Sequence, residues 1–139
     1  MQRYCAYQER CHQEVRHKLL KIKVFGDDLE EIIGDLVQDN FLNEERFARS
    51  YARGKFRIKQ WGRVRIKNEL KRREISDYCI RKAMSEIEDD AYLRTAEELA
   101  QRLLRSYEQP ITFADRQKAM QRMVRRGYEY GLVKELIAG

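Results

Sequence analysis

"LKRREISDYCIRKAM", residues 70–84, aligns without a gap on "MVRRGYEYGLVKELI", residues 123–137. Both stretches have apolar residues at helical spacing on each side of a short polar turn, and Leu70 falls on Met123. A third copy begins at Leu20, in "LKIKVFGDDLEEIIGDL", with two extra residues at the turn. Matching turns together with matching apolar positions are typical of tandem helical repeats. The sequence therefore predicts an all-α fold without a sheet, built as an elongated, curved array of three-helix units.

The repeats divide the chain into three predicted units. The first three-helix unit, with an N-terminal lead, covers residues 1–58, and the second covers residues 59–109. The third, residues 110–139, is predicted to be truncated after two helices. Apolar residues at i, i+3 and i+4 predict eight helices, the first from about residue 8 to 24. Units that pack mainly on their neighbours form an extended body, which suits a protein that lies along a long partner.

Several polar residues and glycines mark predicted helix ends. Gly26 is predicted to end the first helix, and Asp27 to accept hydrogen bonds from the free amides of the second. Asn43 suits the start of the third helix, and Ser76 or Asp77 the start of the fifth. Later helix ends are predicted at Pro110 and Gly127. The apolar stripes assign inward-facing positions that include Ile22, Val37, Ile58, Leu93 and Val124.

The composition indicates a basic protein with a thin core. The chain has 139 residues, a formal net charge of +6 and a charged fraction of 37%, against about 25% in average proteins. No apolar run approaches the ~18 residues of a membrane span. The N-terminus also lacks the apolar core of a secretion signal. We therefore expect a cytoplasmic monomer without a membrane segment, whose charge permits an anionic partner.

Positive charge is concentrated between residues 53 and 73. Ten basic residues stand there against one acid, Glu69. The ten are Arg53, Lys55, Arg57, Lys59, Arg63, Arg65, Lys67, Lys71, Arg72 and Arg73, and Arg125 with Arg126 extends the set in the last repeat. Such a run repels itself unless a polyanion neutralises it, and docking on phosphates releases counterions. These twelve residues are the predicted contact surface for an anionic partner, with an ordinary solvated helix face as the alternative.

Aromatic residues are interleaved with the basic ones. Tyr51, Phe56 and Trp61 could stack on unpaired bases, which contributes roughly 1–3 kcal/mol for each base. The other interpretation is that they fill gaps between helical units, where a thin array needs bulk. Phe47 and Tyr51 are one helical turn apart and suit the core, and Trp61 precedes Gly62 at the start of a helix. Packing is the favoured interpretation.

No catalytic motif or cofactor site is evident in the sequence. The chain contains no Gly-rich phosphate loop, GxSxG or HExxH motif. Cys5, Cys11 and His12 suggest a metal site, but adjacent residues on a helix diverge by about 100° and no fourth ligand has a suitable spacing. Reduced, partly buried thiols, including Cys79, are the simpler interpretation. We expect no cofactor and no enzymatic activity; an enzyme with a Cys/His metal centre is the remaining, less favoured hypothesis.

The region "FLNEERFARSYARGKFRIKQWGRVRIKNELKRREIS" resembles the signature of the RecX family of RecA regulators. The resemblance rests on the run from Glu45 to Ala48, on Trp61-Gly62 and on the segment from Arg65 to Leu70. The terminal "RRGYEYGLVKEL" is similar to the last unit of the family, so the likeness covers the chain from about residue 11. The chain departs from the family pattern where a glycine often replaces Glu74.

The resemblance implies a fold of tandem three-helix units and a non-enzymatic function. It implies binding to the RecA–single-stranded DNA filament along its helical groove. It also implies restraint of ATP hydrolysis, strand exchange and co-protease activity in DNA repair and the SOS response. The residues alone predict a modular helical protein with a basic surface. They leave open a stand-alone nucleic-acid-binding module, which would bind naked DNA as tightly as the filament.

Overall fold

The computed structural model describes residues 1–138, which form nine α-helices and no β-strand. In chain order the helices are α1 (Gln2–Tyr7), α2 (His12–Lys21), α3 (Gly26–Gln38), α4 (Glu44–Arg57), α5 (Arg63–Arg72), α6 (Asp77–Met84), α7 (Asp89–Arg105), α8 (Phe113–Arg126) and α9 (Tyr130–Ile137). The predicted all-α class is confirmed. Within residues 1–138, no helix combines the length and the apolar character needed to cross a membrane.

The predicted first helix, from about residue 8 to 24, is wrong because α1 ends before it and α2 begins later. Between the two helices, the guanidinium of Arg10 donates a hydrogen bond to the carbonyl oxygen of Tyr4 at 3.2 Å. Cys5 is buried in one hydrophobic core and Cys11 in another. A single continuous helix is therefore replaced by two helices with a break between them. Apolar spacing alone does not reveal such a change of core.

Four helices, α2, α3, α5 and α8, end with the same backbone motif. A residue just past the end of each helix has a positive φ: Lys23 (65°), Asn40 (61°), Glu74 (60°) and Gly127 (110°). The next amide donates to a carbonyl five residues earlier, in the pairs Val24–Leu19, Phe41–Leu36, Ile75–Leu70 and Tyr128–Met123. The structural register therefore begins at Leu19 rather than Leu20, and the two extra residues predicted at the first turn are not needed. A glycine at the position of Glu74 fits this left-handed backbone.

Some predicted caps are confirmed and two are wrong. The side chain of Asn43 accepts a hydrogen bond from the Arg46 amide at 2.9 Å, and that of Ser76 from the Cys79 amide at 3.2 Å. Gly127 has the left-handed backbone expected of a C-terminal cap. Gly26 does not end a helix, however, and Asp27 does not cap one: α3 begins at Gly26 and its N-cap is Phe25. The left-handed turn at Lys23 has already completed the preceding helix end.

The helices pack in three consecutive groups, which we name unit 1 (α1–α3), unit 2 (α4–α6) and unit 3 (α7–α9). In unit 2, α4 packs on α6 and α5, and in unit 3 each helix packs on the other two. The predicted boundaries after residues 58 and 109 fall between α4 and α5 and between α7 and α8. Each predicted boundary therefore follows the first helix of a packed group instead of preceding it. As a result, the last packed group contains the three helices α7, α8 and α9, whereas the predicted last unit contains two.

Two hydrophobic cores stabilise these units. The smaller core belongs to unit 1 and contains Cys5, Val15, Leu19, Leu29, Ile33, Leu36 and Leu42. The larger core runs without interruption from α4 to α9, so units 2 and 3 share it. The chain exposes 9143 Å² of surface. This is about a fifth more than the ~7,700 Å² expected of a compact monomer of its mass, in keeping with an extended array.

Five apolar residues predicted to face inward are instead exposed. They are Ile22, Val37, Ile58, Leu93 and Val124. Ile58 is the clearest case, with 79% of its surface exposed, because α4 ends at Arg57. In a tandem array each helix buries only the centre of its apolar stripe, since neighbours cover one side of it. The flanking positions therefore face solvent.

Candidate anion-binding surface

Units 2 and 3 meet where two glycines bring their backbones into contact. The Gly62 amide donates a hydrogen bond to the Arg126 carbonyl, and the Val64 amide donates to the Gly127 carbonyl, each at 2.9 Å. A Cβ atom on Gly62 would lie 2.2 Å from the carbonyl carbon of Gly127. Since no side chain fits into that space, glycine is required here for steric reasons. The contact holds the start of α5 against the end of α8.

Two buried tyrosines fix the same joint. The Tyr128 hydroxyl donates to the Gln60 carbonyl at 2.8 Å. The Tyr92 hydroxyl accepts from the Arg63 amide at 3.0 Å and donates to the Glu129 carboxylate at 2.6 Å. The two rings stack with centroids 5.2 Å apart. Burial raises the pKa of Tyr128 to about 12 and, together with the Glu129 hydrogen bond, raises the pKa of Tyr92 further. Both hydroxyls are therefore neutral across the physiological range.

Several predicted contact residues are used inside the molecule. The ion pairs are Arg53–Glu86 at 3.0 Å, Arg63–Asp89 at 2.6 Å, Arg73–Glu69 at 3.1 Å and Arg72–Glu69 at 3.5 Å. Arg63 also lies over the ring of Tyr92, and Arg73 over that of Tyr51. Arg126 donates to the carbonyls of Lys59 and Gln60. The expectation of a wholly unneutralised run is therefore wrong for these four paired arginines, although Arg72 remains largely exposed.

The remaining predicted residues have no carboxylate partner among residues 1–138. They are Lys55, Arg57, Lys59, Arg65, Lys67, Lys71, Arg125 and Arg126. Lys67 and Lys71 are one turn apart on the exposed face of α5. Lys55 and Arg65 lie over the indole of Trp61, at 4.8 Å and 4.0 Å from its centroid. The positive charge of this surface therefore has little compensation from within the molecule.

A cleft of about 660 Å³ lies between units 2 and 3 and collects part of this charge. Its lining contains six basic residues and no acidic residue: Lys59, Arg65, Arg102, Arg122, Arg125 and Arg126. The other lining residues are Trp61, Leu99, Leu103 and Met123. The joint described above sets the width of the cleft, because it fixes α5 against α8. The arrangement can bind a polyanion through charge-assisted hydrogen bonds.

Arg102 and Arg122 in this cleft are absent from the residues predicted from sequence. Arg122 is one helical turn before Arg126, so i, i+4 spacing from the predicted pair could have identified it. Arg102 belongs to α7, whose sequence mixes charges of both signs, and no local signal distinguishes it. Only the packing of α7 beside α8 brings Arg102 to the same cleft.

The aromatic residues and the cysteines pack within the protein. Phe56 is buried and its ring centroid lies 5.9 Å from that of Tyr92. The Trp61 ring packs edge-on against Tyr51 and lines the cleft. All three cysteines are free and buried, and burial raises the pKa of the Cys11 thiol to about 11. In the described part of the chain, no three His, Cys, Asp or Glu side chains are grouped so that they could hold a metal ion.

The fold and this surface define a class of protein: a tandem array of three-helix units with a cationic cleft. Two family models match the chain, "RecX, second three-helix domain" over residues 43–84 and "RecX, third three-helix domain" over residues 90–137. The chain therefore belongs to the RecX family. The matched ranges correspond to units 2 and 3 as the packing defines them.

Relatives and solved structures agree with this membership. The chain is 27% identical over 131 residues to the regulatory protein RecX of Bacillus cytotoxicus, covering 94% of this chain and 48% of the relative. It is 28% identical over 132 residues to that of Streptococcus uberis, covering 94% and 50%. The chain thus spans about half the length of these curated relatives. The crystal structure of RecX from Lactobacillus salivarius is similar with a TM-score of 0.83 and 26% identity, covering 98% of this chain and 88% of that one.

Proposed function

We propose that this protein is a non-enzymatic regulator that binds the RecA–single-stranded DNA filament. Binding inhibits ATP hydrolysis, strand exchange and co-protease activity of the recombinase, in DNA repair and the SOS response. The protein acts in the cytoplasm as a monomer. Membership of the RecX family supports this function, since the relatives are named regulatory proteins. The observation that carries the physical argument is the cationic surface of units 2 and 3, where eight of the twelve predicted basic residues have no carboxylate partner among residues 1–138.

An extended array with several basic contacts suits a fibre better than a small ligand. The exposed lysines of α5 and the arginines of the cleft lie on different sides of one rigid pair of units. Contacts that engage neighbouring filament subunits together raise the affinity through effective concentration, provided that their spacing fits. Neutralising phosphates or acidic protein surface makes the binding sensitive to salt. A protein that bridges subunits in this way opposes further filament growth or favours disassembly.

The test is co-sedimentation with RecA filaments across a salt series, with wild type compared with K67E/K71E. Both lysines are exposed on α5 and have no carboxylate partner among residues 1–138, so we expect their reversal to leave the fold intact. We expect at least tenfold weaker filament binding and a parallel loss of inhibition of RecA ATP hydrolysis. The matched control is R94E/K118E, which makes the same charge change at exposed sites on α7 and α8 outside the cleft. Equal inhibition by K67E/K71E and wild type would refute the use of this surface.

A second candidate function is a stand-alone nucleic-acid-binding module, which the six basic residues of the cleft favour. The two functions differ in their dependence on RecA. A filament regulator binds RecA-coated DNA much more tightly than naked single-stranded DNA at the same salt concentration. Equal affinity for the two would support the stand-alone module instead.

A further inference from the structure

The cleft between units 2 and 3 can donate hydrogen bonds but has almost nothing to accept them. Its lining side chains are those of arginine, lysine, tryptophan, leucine and methionine, and only the thioether of Met123 is even a weak acceptor. Two backbone carbonyls beside the cleft already accept hydrogen bonds from within the protein. Arg126 and Tyr128 both donate to the Gln60 carbonyl, and Arg126 also donates to the carbonyl of Lys59.

The lack of hydrogen-bond acceptors in the cleft distinguishes between the two polyanions of a nucleoprotein filament, which are acidic protein segments and DNA. An acidic segment that entered the cleft in an extended form would bring a backbone N–H donor on nearly every residue, and a buried donor without an acceptor costs about 1–3 kcal/mol. A DNA sugar–phosphate backbone has acceptors only, with one negative charge for each nucleotide. It therefore satisfies the six basic side chains without adding donors of its own. The partly exposed apolar side chain of Leu103 beside the basic residues suits the deoxyribose rings.

We propose that this cleft binds the sugar–phosphate backbone of a DNA strand, with the bases turned outward. The cleft is then the part of the filament-binding surface that contacts DNA, whereas the exposed lysines of α5 contact protein; this assignment rests on the proposed function. Since no base edge enters the cleft, binding is independent of base sequence. Binding also moves the Arg65 guanidinium from the Trp61 ring towards a phosphate.

Titration with oligothymidylate at low salt tests the proposal, because Trp61, the single tryptophan of the chain, reports binding by its fluorescence. The variant is R102E/R122E, which reverses two cleft arginines that have no partner in residues 1–138. We expect at least a tenfold loss of affinity. The slope of log K against log salt should fall by about 1.4, since each phosphate contact on a single strand contributes ~0.7. The control R94E/K118E should retain wild-type affinity, and circular dichroism checks that both variants are helical.

Two results would overturn the proposal. In the first, R102E/R122E binds the oligonucleotide as wild type does; if it then fails to inhibit RecA, the cleft contacts protein and the proposed function still holds. In the second, oligoglutamate competes for the cleft as well as oligothymidylate of equal charge. Conversely, if wild type binds the oligonucleotide through the cleft but has no effect on RecA filaments, the cleft assignment holds and the proposed function fails.

Discussion

The joint between units 2 and 3 differs in kind from the joint between units 1 and 2. Units 2 and 3 share one core, two backbone hydrogen bonds and the Gly62–Gly127 contact. Unit 1 has its own core and is joined to unit 2 largely by side chains, through Arg46–Glu9 at 2.6 Å, Arg73–Glu14 at 4.0 Å and a Gln13 hydrogen bond to the Arg72 carbonyl. The same repeat is therefore stacked once as a rigid pair and once through partly exposed polar contacts together with one buried side chain, that of Cys11.

The difference shows how a repeat protein can combine a binding site of fixed geometry with a neighbouring unit whose position can vary. The cleft requires a constant width, and the backbone contact at the rigid joint provides it. Partly exposed ion pairs contribute only about 0–1 kcal/mol each, so the first joint is much weaker. We expect unit 1 to separate from unit 2 more easily than unit 2 from unit 3. Three experiments test this contrast, taken from the largest expected effect to the smallest.

Gly62→Ala should destabilise the rigid joint most. The added Cβ would meet the backbone of Gly127 at 2.2 Å, which no rotamer change can relieve. We expect a loss of about 3 kcal/mol in the free energy of unfolding, the upper end for overpacking. Denaturant unfolding measures it. Gly34→Ala is the control: it lies within α3 with open space around it, so the free energy of unfolding should rise by up to about 1 kcal/mol. Equal effects of the two substitutions would contradict the steric role of Gly62.

Alkaline pH should weaken the rigid joint through Tyr128. Its pKa is raised to about 12 in the folded state, against about 10 when unfolded. The unfolded chain therefore releases its proton first, and stability present below pH 10 is lost as the pH rises towards 12. The contribution is about 1.4 kcal/mol for each pH unit in that window. Tyr128→Phe should make this part of the stability curve less steep, since only Tyr92 of the joint still contributes, whereas Tyr78→Phe, at an exposed site, should leave the slope unchanged. Parallel curves for wild type and Tyr128→Phe would show that the joint does not hold the hydroxyl neutral.

Glu9→Gln should loosen only the joint between units 1 and 2. Removing the Arg46 ion pair costs about 0.5 kcal/mol, which corresponds to roughly twofold faster opening of this joint. Hydrogen exchange of α2 amides measures it, with α8 amides as an internal reference. High salt should produce the same change in wild type. Glu31→Gln, at an exposed site of α3, is the control. Faster exchange in α8 after Glu9→Gln would mean that the two joints are not independent.

The repeat could be predicted from sequence, but its starting point could not. Leu70 and Met123 do occupy equivalent positions, because both precede the same left-handed helix end. In a periodic sequence any of the three helices can be taken as the first helix of the repeat. Periodicity therefore does not reveal that α4 packs with α6 rather than with the preceding helices. The start of each unit is decided by which buried faces meet in three dimensions.

The sequence predicted the excess of basic residues between residues 53 and 73. It did not predict which of these residues line the cleft. A count of charges treats Arg63 and Arg65 alike, although Arg63 is held by Asp89 and Tyr92 while Arg65 faces the cleft. The acids that neutralise Arg53 and Arg63 lie in later segments, at Glu86 and Asp89. Arg102 joins the cleft from unit 3 by the same kind of long-range packing. Local sequence contains neither the neutralising partners nor the distant members.

The buried position of Cys11 gives the molecule a chemical reporter of its own flexibility. Its thiol is fully enclosed in the core of units 2 and 3 although the residue lies at the start of α2 in unit 1. An alkylating reagent reaches this sulfur only while the first unit is detached, whereas Cys5 stays covered by helices of the first unit itself. The rate of Cys11 modification therefore increases with the fraction of time that unit 1 is detached, and a bound filament that clamps the units together would slow it.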